Sequence, residues 1–417
     1  MATKNFDFRW LLGNEAAPLL KDVQLKLERG DDILRIVSNL RKEISPEQSA
    51  LVVELAQLRT RAGRKFNNAG NMFFTRRALE MATDQQIATF KSQRFDNMHR
   101  IADVCCGVGG DLISLAKLDQ TEVAGIDSDE LSVAYANANL EAHGLAAVAS
   151  VGQFESAELS NFDAVHIDPE RRAPGKAVRG EKFSPPLPDI LGLPGSANAL
   201  AIKIAPATRC PELDTEQFEL EWIGHSRECK QQVIWLGDLA RGAGMRTATV
   251  LTAAGSHGFT SVGDAERQVA TNEKLCRYLY EPHSVVLAAD LVDDLARERS
   301  LVRISTGNVY LTGDELVSSP LLAAFEIIET TTGGISKVAD VLKRLDVGKL
   351  EVKKRGLPDH IVDNYKRLKL KGSESATILL TRRGDQRLSV IARRVVCLLY
   401  TSPSPRDQRG SRMPSSA

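Results

Sequence analysis

The sequence predicts an α/β protein whose central element is a doubly wound parallel sheet. Short apolar runs of strand length alternate with helical stretches from Arg100 onward, which is the pattern of buried parallel strands joined by helices. A glycine-rich loop follows the first of these runs. The 417 residues are enough for two or three domains, so we expect a helical N-terminal domain before the sheet and a small α+β domain after it.

Residues 1–97 are predicted to form the helical N-terminal domain. The segment Ser45-Pro46-Glu47-Gln48 has the pattern of a capping box with proline at the first helical position, and it predicts a helix over 50–61. A second start signal lies at Thr83-Asp84. Basic residues gather in this domain, which indicates either a solvated helix face or a nucleic-acid contact; they are Arg59, Arg61, Arg64, Lys65, Arg76 and Arg77.

Residues 98–330 are predicted to contain the sheet. The strands expected are 101–105, 123–126, 146–151, 164–167 and 200–204, and the helices between them are 112–117 and 131–142. Three later runs, 218–223, 233–236 and 247–252, are expected to close the far edge of the sheet. Residues 256–330 have a mixed pattern that predicts no definite arrangement.

Residues 331–396 are predicted to form a small basic α+β domain, with helices over 335–345 and 362–369 and strands over 350–354, 376–380 and 388–396. Residues 341–396 hold 15 Lys and Arg against 6 Asp and Glu, a local net charge of +9 in a chain whose net charge is zero. This asymmetry favours contact with the phosphate backbone of folded RNA, and the alternative is a solvated basic surface. The densest cluster comprises Lys353, Lys354, Arg355, Lys366, Arg367, Lys369 and Lys371.

Several features exclude other classes of protein. No apolar run approaches the roughly 20 residues of a membrane-spanning helix, and the first residues lack the apolar core of a signal peptide. The six cysteines form no CxxC pair, so we expect no disulfide framework and no metal site. We therefore expect a cytoplasmic protein without a membrane partner. Residues 397–417 lose all periodicity and are predicted to be a non-native tail read from sequencing-adapter DNA; the alternative is a disordered terminus.

The glycine loop is the strongest functional signal. Asp103 precedes Gly107 and Gly109 between a strand and a helix, and Asp127 follows the next strand, where an acid binds a ribose diol in doubly wound folds. The third glycine of the dinucleotide fingerprint is replaced by Leu112. Asp103 would repel a pyrophosphate, whereas its carboxylate can pair with the α-ammonium of S-adenosylmethionine. The loop therefore favours S-adenosyl-L-methionine over NAD.

The segment Asp103 to Asp111 resembles the first motif of class I S-adenosylmethionine-dependent methyltransferases, and its D-x-C-C-G-x-G-G-D form is similar to the trimethylguanosine-synthase-like branch. Residues 352–356 and 381–394 resemble a THUMP-like domain. The resemblance implies a Rossmann-like methyltransferase sheet. It also implies that Asp103, Gly107, Gly109 and Asp127 bind the cofactor, and that Gln153 lies near the adenine amine, where the family usually carries an acid.

A second motif, Asp168-Pro169-Glu170, follows the predicted strand 164–167. It resembles the N/D-P-P-x motif of methyltransferases that act on planar amino nitrogens, with Glu170 in place of the second proline. A carboxylate and a proline-held carbonyl at this position can orient the N–H groups of an acceptor amine and stabilise its growing positive charge. We therefore predict Asp168 and Pro169 as catalytic residues. A basic loop over 171–182 follows and is a candidate phosphate contact.

Together these features predict an S-adenosylmethionine-dependent methyltransferase that acts on a base amine or ring nitrogen of RNA. Three alternatives stay open: a methyltransferase acting on protein or small molecules, a catalytically inactive RNA-binding relative, and a nicotinamide oxidoreductase. The missing third glycine and the Asp-Pro motif argue against the oxidoreductase.

Overall fold

A computed structural model of the chain describes residues 8–154, 158–171, 183–192, 199–208, 217–262, 269–272, 274–358, 360–384 and 386–395. The chain forms two compact units. The first comprises Met1–Glu219 and Gln232–Gly244, and the second comprises Leu220–Gln231 and Met245–Ala417.

The first unit begins with five α-helices, as the sequence predicts for this region. They are α1 (Ala16–Glu28), α2 (Ile33–Leu40), α3 (Pro46–Ala62), α4 (Arg76–Met81) and α5 (Gln85–Ser92). The predicted capping box is present, because Ser45 Oγ accepts from the N–H of Gln48 at 3.1 Å and Gln48 Oε1 accepts from the N–H of Ser45 at 3.0 Å. Asp84 caps α5 by accepting from the N–H of Ile87 at 3.0 Å. These local signals therefore place both helix starts correctly.

A parallel sheet forms the centre of the first unit and confirms the predicted fold class. Its strands are β1 (Arg100–Val104), β2 (Glu122–Asp127), β3 (Val148–Val151), β4 (Ala164–Ile167) and β7 (Ala199–Ile204), in the order β7-β4-β1-β2-β3. Residues 232–237 of β9 (Glu228–Gly237) pair antiparallel with β7. The register sets Asp103 of β1 beside His166 of β4, so these two side chains lie on the same face.

Helices and a short ribbon complete the first unit. They are α6 (Leu112–Leu115), α7 (Glu130–Ala142), α8 (Leu187–Leu191) and the two-stranded ribbon of β5 (Glu170–Arg171) and β6 (Phe183–Ser184). The helix predicted over 112–117 ends at Leu115, because its last turn tightens and the N–H of Leu118 donates to the carbonyl of Leu115.

The second unit contains one group of three strands and one larger sheet. In the group of three, β8 (Glu219–His225) runs parallel to β10 (Arg246–Thr252), and β11 (Gly255–Ser261) runs antiparallel to β10. The larger sheet has the order β13-β14-β12-β15-β18-β17-β16. Its strands are β12 (Tyr278–Pro282), β13 (Val302–Arg303), β14 (Leu311–Gly313), β15 (Leu322–Thr331), β16 (Val347–Lys354), β17 (Glu374–Arg383) and β18 (Gln386–Arg394).

Four helices accompany these strands: α9 (Ser284–Ala288), α10 (Val292–Glu298), α11 (Ile335–Arg344) and α12 (His360–Lys366). The last two pack on the larger sheet through a core that includes Val338, Leu342, Ile361 and Ile378. The segment 256–330, for which the sequence predicts no definite arrangement, contains β12, β13, β14 and nearly all of β15, which belong to the same sheet as the predicted C-terminal strands. Among the described residues, no helix has the length and apolar content to cross a membrane.

Candidate active site

The glycine loop between β1 and α6 adopts a conformation that requires its glycines. Cys105, Gly107 and Gly109 have φ angles of 56°, 55° and 88°, in the left-handed region that side chains rarely enter. A Cβ added at Gly107 would meet no atom of the described residues within 4 Å. The backbone at Gly107 therefore borders open space in which a ligand can approach it closely.

Asp127 lies at the end of β2 and is bonded to this loop. One carboxylate oxygen accepts from the N–H of Gly107 at 2.8 Å, and the other accepts from the N–H of Asp129 at 2.9 Å. The carboxylate is half-buried. Since each carboxylate oxygen can accept more than one hydrogen bond, both retain acceptor capacity for a ribose diol.

Gln153 lies just beyond β3 with an exposed side chain. The preceding residue, Gly152, donates its N–H to the carbonyl of Asp127 at 3.0 Å. This bond places Gln153 at the same edge of the sheet as Asp127 and the glycine loop, the edge at which the carboxyl ends of the parallel strands meet.

Asp103, in contrast, belongs to a buried cluster of charged side chains that the sequence analysis did not anticipate. Its Oδ1 lies 2.7 Å from Nδ1 of His166, and Nε2 of His166 lies 3.0 Å from Nζ of Lys91. Lys91 Nζ forms an ion pair of 2.8 Å with Asp111, which also accepts a 2.6 Å hydrogen bond from the hydroxyl of Thr83. Asp111 stands at the start of α6, but its side chain makes no capping bond there. Its carboxylate instead pairs with Lys91 of α5.

The two carboxylates of this cluster have opposite pKa shifts. Burial raises the pKa of Asp103, and the hydrogen bond from His166 only partly opposes this. Burial acts in the same direction on Asp111, but the ammonium of Lys91, which also donates a hydrogen bond to it, outweighs burial and holds the pKa of that carboxyl well below its usual range. Asp103 Oδ2 is buried and has no hydrogen-bond partner among the described residues. Asp103 is therefore the carboxylate in this cluster that still lacks a counter-charge.

Asp168 and Pro169 lie directly after β4. The N–H of Asp168 donates to the carbonyl of Val104 at 3.2 Å, which brings the end of β4 beside the end of β1 and the start of the glycine loop. The carboxylate of Asp168 pairs with Nζ of Lys203 on the neighbouring strand β7. Although burial opposes it, the Asp168 carboxylate raises the pKa of Lys203, so this pair is a carboxylate held by an ammonium.

Glu170 stands where the N/D-P-P-x motif has its second proline, and its side chain pairs with an N-terminal helix. Both of its carboxylate oxygens lie 3.1 Å from one guanidinium nitrogen of Arg77 on α4. The chain then enters the β5–β6 ribbon. The predicted basic loop lies, from residue 172 to 182, outside the described residues.

The cysteines of the loop fit a packing role. Burial, together with the neighbouring carboxylates, raises the pKa of both Cys105 and Cys106 well above the usual thiol range. Thiols in this state are poor nucleophiles. Across the part of the chain that the structure describes, no group of three His, Cys, Asp or Glu side chains is arranged to hold a metal ion.

The basic cluster of the second unit separates into two sets. Lys353 is largely buried and pairs with Glu281, and Arg355 lies 3.6 Å from the same carboxylate. Lys354 donates to the carbonyl of Leu357 at 2.8 Å. The other set, Lys366, Arg367, Lys369 and Lys371, is exposed. We refer to these four residues as the α12 basic patch, since they lie at the end of α12 and just after it.

Three domain families match the chain. Residues 101–170 match a methyltransferase domain, residues 322–394 match a THUMP domain-like family, and residues 6–62 match a domain of unknown function. The chain thus has a methyltransferase domain and a C-terminal THUMP-like domain, as the sequence motifs predict. It is an S-adenosylmethionine-dependent methyltransferase. S-adenosyl-L-methionine is accordingly its cofactor.

Two known proteins are similar over most of the chain. An uncharacterized S-adenosylmethionine-dependent methyltransferase of Mycobacterium tuberculosis is 27% identical over 364 residues, which cover 82% of this chain and 95% of the relative. A crystal structure of a protein described as a methyltransferase from Porphyromonas gingivalis W83 has a TM-score of 0.74 and 18% identity, and the match covers 94% of this chain and 100% of that chain. At 18% identity, the similarity to this structure shows a shared fold.

Proposed function

We propose that the protein transfers a methyl group to a base amine or ring nitrogen of RNA. In this proposal Asp103, Gly107, Gly109, Asp127 and Gln153 bind S-adenosyl-L-methionine, and Asp168 with Pro169 binds the acceptor nitrogen. The observation that carries the proposal is the position of Asp168, a carboxylate held by Lys203 at the end of β4 and next to the glycine loop.

The residues at the loop fit the cofactor. Asp103 Oδ2, buried and without a partner among the described residues, is an acceptor suited to an α-ammonium. The open space at Gly107 suits a ligand that lies against the backbone, and Asp127 retains acceptor capacity for a ribose. The bound cofactor would supply an electrophilic methyl group on a sulfonium.

The chemistry at the acceptor is orientation and charge stabilisation. The Asp168 carboxylate accepts an N–H of the acceptor and so aims the nitrogen lone pair. As positive charge grows on that nitrogen, the carboxylate stabilises it. Lys203 pairs with Oδ2 of Asp168, and Oδ1 remains for the acceptor.

The charge of the C-terminal region supports an RNA substrate. The net charge of +9 over residues 341–396 contrasts with the neutral chain. The exposed α12 basic patch offers four cations to a phosphate backbone, and the THUMP-like match covers the same region. These four residues, rather than Lys353 and Lys354, are therefore the proposed RNA contact.

The test is methyl transfer from labelled S-adenosyl-L-methionine to three separate acceptor pools: total RNA, total protein and a small-molecule extract, each with a control that lacks the enzyme. The proposal predicts label in the RNA pool that becomes soluble after ribonuclease treatment. Label confined to the protein pool or the small-molecule extract would replace RNA with that substrate class. No transfer in any pool, by protein that binds the cofactor, would favour the inactive RNA-binding relative.

A further inference from the structure

The cluster around His166 links the N-terminal helices to the cofactor loop. Lys91 comes from α5, Thr83 from the turn before it, His166 from β4, and Asp103 and Asp111 from the two ends of the glycine loop. All five side chains are buried; His166 and Asp103 are each 1% exposed and Lys91 is 2% exposed. Gly110 permits this approach, because a Cβ there would lie 3.1 Å from the carbonyl oxygen of Thr83.

The proton positions in the cluster follow from the donors available. Lys91 forms an ion pair with Asp111, and an ammonium can only donate hydrogen bonds. Nε2 of His166, at 3.0 Å from Lys91 Nζ, must then accept. In a neutral imidazole whose Nε2 accepts, Nδ1 carries the proton. His166 therefore donates from Nδ1 to Asp103 Oδ1 at 2.7 Å.

The charges of the cluster do not balance. One ammonium, Lys91, stands against two carboxylates, Asp103 and Asp111, while His166 is neutral. A buried charge without a counter-charge is costly. An ammonium at Asp103 Oδ2 would bring the cluster to zero net charge, and this oxygen has neither a hydrogen bond nor an ion pair among the described residues.

We propose that Lys91 and His166 are positioning residues for the cofactor: together they fix the imidazole tautomer that donates to Asp103 Oδ1 and so keep Oδ2 oriented as the acceptor for the α-ammonium of S-adenosyl-L-methionine. This inference rests on the cofactor role proposed for Asp103. It also assigns a part of the cofactor site to α5, although α5 lies in the segment predicted as a separate helical domain.

Two substitutions of His166 test the roles of its two ring nitrogens separately, namely Nδ1, which donates to Asp103, and Nε2, which accepts from Lys91. The side-chain amide of Asn in His166→Asn can occupy the place of Nδ1 and donate to Asp103. The longer side chain in His166→Gln reaches the place of Nε2 and leaves Asp103 without its donor. Asp103→Asn tests the cofactor role itself, because it puts an N–H₂ donor where the acceptor is needed. His283→Asn, in the second unit, controls for the replacement of a buried histidine.

The measurement is calorimetric affinity for S-adenosyl-L-methionine, with thermal melting of each variant. We expect His166→Asn and His283→Asn to stay within about threefold of the unsubstituted protein. His166→Gln and Asp103→Asn should bind about tenfold or more weakly, since each loses a hydrogen bond to a charged group. Equal effects of the two His166 variants, beside a weakened Asp103→Asn, would overturn the inference alone. Unchanged binding by Asp103→Asn would instead remove the proposed role of Asp103 and this inference with it.

If the His166 variants do not fold, nuclear magnetic resonance of the unsubstituted protein tests the tautomer of His166 directly. In unsubstituted protein carrying ¹⁵N-labelled histidine, the inference predicts that His166 has a protonated Nδ1 and a bare Nε2. A proton on Nε2 would overturn it, because Lys91 would then not direct the tautomer.

Discussion

The N–H of Gly107 donates a 2.8 Å hydrogen bond to the carboxylate of Asp127, so the residue proposed to bind the ribose also holds the loop proposed to receive the cofactor. Asp127 and Gly107 lie on neighbouring connections, at the ends of β2 and β1. Substitution of Asp127 therefore affects both the ligand contact and the loop.

We predict that Asp127→Ala weakens binding of S-adenosyl-L-methionine by about tenfold to a hundredfold, since each charge-assisted hydrogen bond contributes roughly 1.5–3 kcal/mol. Asp127→Asn should lose less, because its amide oxygen can still accept from Gly107. Calorimetry on folded variants measures both. Affinity equal to that of the unsubstituted protein in Asp127→Ala would contradict the assignment.

A second prediction concerns the α12 basic patch. We expect weaker RNA binding when its four residues, Lys366, Arg367, Lys369 and Lys371, are replaced by Gln. The slope of log K against the logarithm of the salt concentration should become shallower by roughly 0.7–0.9 for each phosphate contact removed. The matched control replaces four exposed cations of the N-terminal helices by Gln, namely Lys21, Arg29, Arg35 and Arg41. If the patch variant and the control have the same salt slope, the patch is solvated surface.

Point substitutions suit this test better than truncation. The predicted domain boundary at residue 331 coincides with the end of β15, which pairs with β18 through Thr330 and Val390. A chain cut there would leave β15 without that neighbour, and lost RNA binding would then also reflect lost structure.

A third prediction concerns the pH dependence of the free energy of unfolding, to which His283 contributes. It is buried, and its Nδ1 caps α9 by accepting from the N–H of Val285 at 3.2 Å. Burial lowers the pKa of His283 to about 4, and the positive charges of Arg227 and His225 act in the same direction. The carboxylate of Glu281 opposes the shift. The unfolded chain binds this proton at about pH 6.5, so between pH 6.5 and 4 it binds more protons than the folded protein.

The free energy of unfolding should therefore fall as the pH drops from 6.5 to 4, by up to about 3 kcal/mol from this group. His283→Asn retains a capping side chain but does not titrate. Urea unfolding of both proteins across this window should show a smaller loss in the variant. Parallel curves would mean that His283 titrates alike in the folded and unfolded states.

Sequence patterns predicted the features that depend on near neighbours. Ser45 and Gln48 are three residues apart, so their capping box can be read directly, and the strands were visible because buried strands are short apolar runs. The position of Asp168 at the end of β4 was also predictable, because it follows such a run. The partners of the site residues were not predictable, since they come from distant segments.

Lys203 meets Asp168 because β7 lies beside β4, and His166 meets Asp103 because the strand register sets them side by side. The one available signal was that His166 lies two residues before Asp168 and so on the same face of β4. Lys353 shows the reverse case: within a basic cluster it was expected to be a surface residue. Its partner, Glu281, is 72 residues away in a segment whose arrangement the sequence did not predict.

Lys203 provides a further prediction for the catalytic pair. Lys203→Met leaves Asp168 without its ammonium partner, so the carboxylate is less firmly oriented. We expect a lower rate of methyl transfer with little change in cofactor affinity, and partial recovery in Lys203→Arg, which restores the positive charge. Loss of cofactor affinity instead of rate would place Lys203 in the cofactor site.

In the proposed function, Asp168 acts on the acceptor and not on the cofactor. The most direct test of this role is the single-turnover rate of Asp168→Asn at saturating S-adenosyl-L-methionine, with the cofactor Kd of the same variant measured by calorimetry. We predict a Kd within about threefold of the unsubstituted protein and a rate lower by about a hundredfold or more. A retained rate together with a weakened Kd would contradict it, because Asp168 would then belong to the cofactor site.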